Sequence, residues 1–88
     1  MRNILFTPTA WGEYTYWQSQ DKKTHKRINT LIEATAHDPF TGIGKPEALR
    51  GDLTGYWSKR IDDVNRLVYK VTDTELIFSN CRFHYGDK

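Results

Sequence analysis

Glu47, Arg60, Arg66, Arg82 and His84 are the residues of this chain whose types, taken together, could do chemistry. A carboxylate and a histidine can exchange protons, and guanidinium groups supply fixed positive charge. As a set they contain the components for phosphoryl transfer without a metal: a base, an acid and a clamp for the developing phosphorane. RNA suits such a set, because the ribose 2′-OH beside each phosphate is a built-in nucleophile once its proton is taken. DNA lacks that hydroxyl, and its hydrolysis usually uses metal ions, for which the sequence offers no ligand cluster. Singly, each residue has an ordinary explanation. Arg and Lys on the solvent side of a half-buried sheet are common. Glu47 could be a loop carboxylate that neutralises Arg60 and Arg66, and a histidine near a chain end is more often exposed and idle. Lys45, Arg50 and Lys70 say little alone.

Whether these residues act together depends on the elements that carry them. Asn3-Ile4-Leu5-Phe6 reads as a short strand, and Thr7-Pro8 has the form of a helix N-cap and first turn. Over residues 8–20, Trp11, Tyr14 and Trp17 recur every three residues as an aromatic stripe, with Gly12 a slight weakness. Asp21 can cap a second helix over about 22–36, where Ile28, Leu31, Ile32 and Thr35 share a face, and the two helices form a hairpin. His37-Asp38-Pro39 ends it, because the residue before a proline is pushed out of the α region. Residues 40–55 then read as a long loop rich in Gly and charge, and long loops in small domains are more often functional than idle. Strands follow over 56–61, 66–71 and 75–85, joined by turns at Asp62-Asp63-Val64-Asn65 and Thr72-Asp73-Thr74. The expected fold is α+β: strand, helix, helix, then a three-strand antiparallel meander with the helices on one face of the sheet.

Strand parity then decides which residues meet. A three-residue turn at 72–74 would put Val71 opposite Glu75, Val68 opposite Phe78 and Arg66 opposite Asn80. An odd count in the first turn would put Arg60 opposite Arg66. One face would then hold Trp57, Ile61, Leu67, Tyr69, Val71, Ile77, Cys81 and Phe83, the core. The other would hold Tyr56, Ser58, Arg60, Arg66, Lys70, Asn80, Arg82 and His84, with Val68, Leu76 and Phe78 between them. Like charges directly across a ladder repel, so Arg60 opposite Arg66 costs stability unless an anion or carboxylate sits between them.

Composition bounds the rest. With 88 residues there is room for one domain, 1–88, with 86–88 as a frayed tail, and none for a separate cofactor domain. A formal charge of +2 is too small to advertise a polyanion binder. The single cysteine, Cys81, excludes an internal disulfide and reads as a buried apolar residue rather than a nucleophile. No apolar run or leader pattern is present, so a cytoplasmic protein without a membrane partner, cofactor or metal is expected.

Several segments carry a family resemblance. Gly44-Lys45-Pro46-Glu47-Ala48-Leu49-Arg50, Leu53-Thr54-Gly55-Tyr56-Trp57-Ser58-Lys59-Arg60-Ile61, Asn65-Arg66-Leu67-Val68-Tyr69 and Cys81-Arg82-Phe83-His84-Tyr85 closely resemble the YoeB (Txe) toxins of bacterial toxin–antitoxin modules. Trp11, Tyr14-Thr15-Tyr16-Trp17 and Pro39-Phe40-Thr41-Gly42 match as well. The resemblance implies a RelE-like fold and a ribosome-dependent endoribonuclease that cuts mRNA in the ribosomal A site and is neutralised by a YefM-type antitoxin. It implies Glu47 as general base toward the 2′-OH, His84 as general acid toward the 5′-oxygen, and Arg66 as phosphate clamp. Arg60, Arg50, Arg82, Lys45 and Tyr85 would shape or bind the substrate. Arg50 stands where the best-known member has lysine, a planar fork in place of a point charge, and residues 86–88 extend past that member's terminal tyrosine.

Implied partners are the antitoxin, the 70S ribosome and mRNA, operator DNA only as a toxin–antitoxin complex, and a second copy in a homodimer. Two other readings of the same residues are a non-catalytic RNA or ribosome binder and an antitoxin-dependent transcriptional co-repressor. The lack of a helix-turn-helix signature disfavours DNA binding by this chain alone.

Overall fold

The computed structural model describes residues 2–83. Among them, two helices pack against one face of a five-stranded mixed sheet of order β1-β5-β4-β3-β2. Strand β1 (Asn3–Phe6) leads into α1 (Pro8–Gln20), where the Thr7 hydroxyl accepts the Ala10 N–H and Pro8 occupies the first turn. Asp21 joins the two helices. Its N–H closes α1 on the Trp17 carbonyl, while its carboxylate caps α2 (Lys22–His37) through the N–H groups of Lys23 and Thr24. Those hydrogen bonds hold the Asp21 carboxyl below its ordinary pKa. The helical stripe is divided: Tyr14 and Trp17 pack on the core, whereas Trp11 remains 55% exposed.

The sheet differs from expectation in three ways. Residues 40–55 are not a plain loop: Glu47–Ala48 form β2, an edge strand antiparallel to β3 (Tyr56–Arg60), and a 3₁₀ turn covers Gly51–Leu53. A two-residue strand has no period to read in a sequence, so its pairing is set by its neighbours. Second, the turn between β4 (Arg66–Val71) and β5 (Glu75–Asn80) has two loop residues, since the Thr72 N–H bonds the Glu75 carbonyl. Val71 therefore faces Leu76, Lys70 faces Ile77 and Tyr69 faces Phe78. This one-residue slip moves Leu76 and Phe78 into the core and Ile77 out of it. Third, a bulge between Val68 and Tyr69 absorbs Ser79 and puts Val68 opposite Asn80, where the expected register has Phe78, so that even numbers again face even numbers. Beyond β5 the expected strand does not continue through Phe83, which is exposed rather than part of the core.

The core joins Ala10, Ile28 and Leu31 of the helices to Ile61, Leu67, Tyr69, Leu76, Phe78 and Cys81 of the sheet side. Cys81 is buried with its thiol pushed up to about 12 by desolvation and by the nearby Glu13 carboxylate, which matches an inert apolar role. Lys59, across from Leu67 on this same packed face, is 0% exposed. Among the described residues its Nζ has no hydrogen-bond partner. Burial lowers its pKa, and Asp38 opposes that only in part. An unfolded lysine keeps its proton to about pH 10.4. The folded state releases it earlier, so below that value the unfolded state binds more protons and stability rises with pH. Lys59→Met should accordingly raise the melting temperature at pH 7, by about 4–8 °C for each kcal/mol gained. The difference from the parent should shrink as pH approaches 10. A lower melting temperature for the variant at pH 7 would show that the ammonium contributes stability where it lies.

Candidate functional site

The face of the sheet opposite the helices is built by β2, β3 and β4. Arg60 stands directly across from Arg66, as parity predicts for the first hairpin, and Ser58 across from Val68. Glu47 pairs with Ser58, and residues directly opposite in a ladder share a face. One row across the sheet therefore runs Glu47, Ser58, Val68, Asn80, and the next holds Arg60 and Arg66. The loop carboxylate, whose orientation the sequence left open, thus lies on the same face as the two arginines, one step diagonally from Arg60.

The position of Glu47 depends on Gly44. Gly44 has φ +88°, and a Cβ there would lie 2.9 Å from both Leu31 Cδ2 and Lys59 Cβ. Only glycine lets the chain press this closely on the helix and sheet. Its carbonyl accepts the Arg60 N–H at 2.7 Å, and the Leu49 N–H donates to Tyr56 at 2.9 Å, so β2 is fastened on both sides of Glu47. The Tyr69 hydroxyl donates to the Pro39 carbonyl and anchors the start of the same segment. Leu49 and Val68 are buried on this face, outside the main core, and give its charged groups an apolar floor.

Arg66 is only 8% exposed. Its Nη1 donates to the Asp62 carbonyl at 2.6 Å and the Asn65 carbonyl at 3.1 Å. A guanidinium has five donors in a rigid fork, so these bonds fix its plane and leave donors for an anion. Arg60, Glu47, Lys45 and Arg50 are exposed. Lys45 lies at positive φ (50°) in the turn before β2, and Arg50 flanks the 3₁₀ turn beyond it. Lys70, further along the face, sits 5.7 Å from the Tyr56 ring centroid.

Arg82 does not take the place parity gave it. With β5 ending at Asn80, its guanidinium stacks 3.7 Å from the ring centroid of Tyr16 in α1 and 4.5 Å from that of Phe83. This cation–π pairing ties Arg82 to a helix instead of lining it up with Arg66. His84 and Tyr85 lie outside the described residues, as does the expected tail at 86–88.

Two residues of the β3–β4 turn escaped the sequence reading. Asp62 accepts the N–H groups of Val64 and Asn65, which lowers its carboxyl pKa against the opposing effect of burial. Asn65 accepts the Phe83 N–H through its side chain at 2.6 Å. An Asp three residues before an Asn is a recognisable turn pattern, but it marks only a turn, with Asp62 adding to the acidic count and the neutral Asn65 adding nothing.

Three comparisons bear on these features. The family described as "YoeB-like toxin of bacterial type II toxin-antitoxin system" matches residues 6–85. A curated relative, Toxin YoeB of Streptomyces coelicolor, is 56% identical over 82 residues, covering 93% of this chain and 98% of its own. The solved YoeB dimer from Staphylococcus aureus superposes with a TM-score of 0.88 at 45% identity, covering 96% of this chain and 98% of that one. A heterotetrameric YoeB–YefM toxin–antitoxin complex from the same organism gives 0.86 at 44% identity, covering 97% and 99%.

The opposed arginines carry a testable cost. Like charges directly across a ladder destabilise by about 0.2–1 kcal/mol. Arg60→Gln should therefore raise the urea midpoint of unfolding at low ionic strength, and the gain should fade at about 0.5 M salt as screening removes the repulsion. A midpoint that drops at low salt would mean that Arg60 is already neutralised in the free protein.

Proposed function

The chain belongs to the YoeB family of toxins of bacterial type II toxin–antitoxin systems, and from that premise we propose that it is a metal-independent, ribosome-dependent mRNA endoribonuclease. The observation that carries this reading is the pairing of Glu47 with Ser58 beside Arg60 opposite Arg66, which gathers a carboxylate and two guanidinium groups on one open sheet face. Glu47 takes the proton of a ribose 2′-OH, and the 2′-oxygen forms a bond to the adjacent phosphorus. The P–O5′ bond breaks, and His84 gives its proton to the departing 5′-oxygen. The products are a 2′,3′-cyclic phosphate, or the 3′-phosphate formed when water opens it, and a 5′-hydroxyl.

Arg66, its fork already fixed by two turn carbonyls, balances the charge that builds on the nonbridging oxygens. Arg60 lies across the ladder as a second cation for the same phosphate, and a bound phosphate relieves the repulsion between the two. Lys45 and Arg50 flank β2 as contacts for neighbouring phosphates, Tyr85 helps shape the site, and Arg82 acts from its place on Tyr16. Glu47 must be ionised and His84 protonated when cleavage begins. The proposal accordingly makes activity depend on RNA held by the ribosome in the A site.

The proposed partners follow from family membership and from surface chemistry. The exposed Trp11 and the cationic face suit a disordered segment with apolar and acidic residues, such as a YefM-type antitoxin could supply. Self-association into a dimer, and operator binding only together with the antitoxin, complete the reading, with action in the cytoplasm. Among the described residues no helix is long and apolar enough to cross a membrane.

Product ends on translating ribosomes test the reaction. In EDTA, the wild-type protein should yield cyclic-phosphate or 3′-phosphate ends and 5′-hydroxyls, faster on ribosome-bound than on free mRNA. Glu47→Gln and His84→Ala should each lower the single-turnover rate by about 10²–10⁴-fold. Ribosome binding should be retained. Unchanged cleavage in both variants removes the acid–base assignment, and binding without any cleavage by the wild type leaves a non-catalytic ribosome binder.

A further inference from the structure

The turn between β3 and β4 reaches well beyond its own hairpin. Asp62 Oδ1 accepts the backbone N–H groups of Val64 at 2.9 Å and Asn65 at 2.6 Å. The Asn65 side-chain amino group donates to both Asp62 carboxylate oxygens, at 3.2 and 3.1 Å. With its donor end held this way, Asn65 must turn its carbonyl oxygen outward, and there it accepts the Phe83 N–H at 2.6 Å. The next residue, Arg66, donates its own N–H to the Phe83 carbonyl at 3.0 Å. Phe83 is thus gripped on both of its peptide groups by two consecutive residues.

Phe83 has φ +65°, a conformation that a bulky residue keeps only where its surroundings fix it. Asn65 is buried, so its hydrogen bonds are not readily replaced by water. The strained, doubly held residue directly precedes His84 in the chain, and the residue that holds its carbonyl is Arg66. We infer that Asn65, oriented by Asp62, is a positioning residue that locks the backbone at Phe83 and so sets the chain's course into His84 relative to Arg66. The inference rests on the ribonuclease reading above, because it is the acid that is positioned. A reacting group misplaced by about 1 Å can cost on the order of 10²-fold in rate.

The pair can be exchanged in chemistry without being removed. Asn65→Ala deletes both contacts. Asn65→Asp keeps an acceptor for the Phe83 N–H but sets a second carboxylate against Asp62. The double variant Asp62→Asn, Asn65→Asp restores a donor–acceptor pair with its direction reversed. Single-turnover cleavage of ribosome-bound mRNA should fall about 10–100-fold for Asn65→Ala and Asn65→Asp. Ribosome affinity should change by no more than about twofold, and the double variant should recover most of the lost rate. Amide hydrogen exchange at Phe83, followed by NMR, should quicken in Asn65→Ala and slow again in the double variant. Melting temperatures recorded alongside show that each variant is folded at the assay temperature.

Unchanged exchange at Phe83 in Asn65→Ala overturns the clamp. Quickened exchange with an unchanged rate overturns its role in the reaction while leaving the ribonuclease reading intact. Loss of rate accompanied by an equal loss of ribosome affinity also overturns positioning. If His84→Ala cleaves as fast as wild type, the assignment of the acid fails, and the positioning of that acid fails with it, even where Phe83 exchange still reports an intact clamp.

Discussion

Everything on the open face depends on one constraint, the register of β3 against β4. Arg60 must stand opposite Arg66, because the same register sends Trp57, Ile61, Leu67 and Tyr69 to the helices. A slip of one residue would turn the arginines toward the helices and expose the core. The packed face therefore enforces a charge repulsion on the open one. In the proposed function a bound phosphate offsets that repulsion. Net charge conceals this, since +2 is an average over the cationic face and acidic turns such as Asp62-Asp63.

Two close approaches then bring the remaining groups to that register. Gly44 presses against Leu31 and Lys59, and through the Arg60 N–H it aligns β2 so that Glu47 meets Ser58. On the other side of the face, the Asp62–Asn65 turn supplies carbonyls to the Arg66 guanidinium and a side-chain acceptor to Phe83. The strands bearing the two arginines are thus flanked by devices that fix a carboxylate on one edge and the approach to the C-terminal residues on the other. Both use buried or crowded backbone.

Much of this architecture is legible in residue order. Thr7-Pro8, Asp21 and His37-Asp38-Pro39 mark the helix ends by local hydrogen-bond chemistry, and Arg66–Val71 is bounded as its alternation suggests. The Arg60–Arg66 pair follows once the first turn has an odd count, a condition that the Ile61–Asn65 backbone pairing meets. Parity fails in the second hairpin, because Thr72 joins the ladder and shortens the loop by one residue. It is then restored by the bulge at Ser79, so Asn80 keeps its face while Leu76 and Phe78 change theirs. Errors of this kind cannot be seen locally: the number of residues in a turn depends on which backbone groups pair. Arg82 was placed by extending the strand, and it was lost to Tyr16 when the strand ended early.

The sequence by itself determined the α+β order of elements, the helix caps, the family, and the types of residue available for chemistry, because these rest on local propensity and motif spacing. Only the tertiary structure decided that Glu47 lies on an edge strand on the same face as the arginines, that Lys59 Nζ is buried with no hydrogen-bond partner among the described residues, and that Asn65 reaches Phe83 eighteen positions away. Each of those facts joins segments distant in the chain through close packing or a single directed hydrogen bond. Such contacts have no period and no fixed spacing, so they exist only once the helices have covered one face of the sheet and fixed the other.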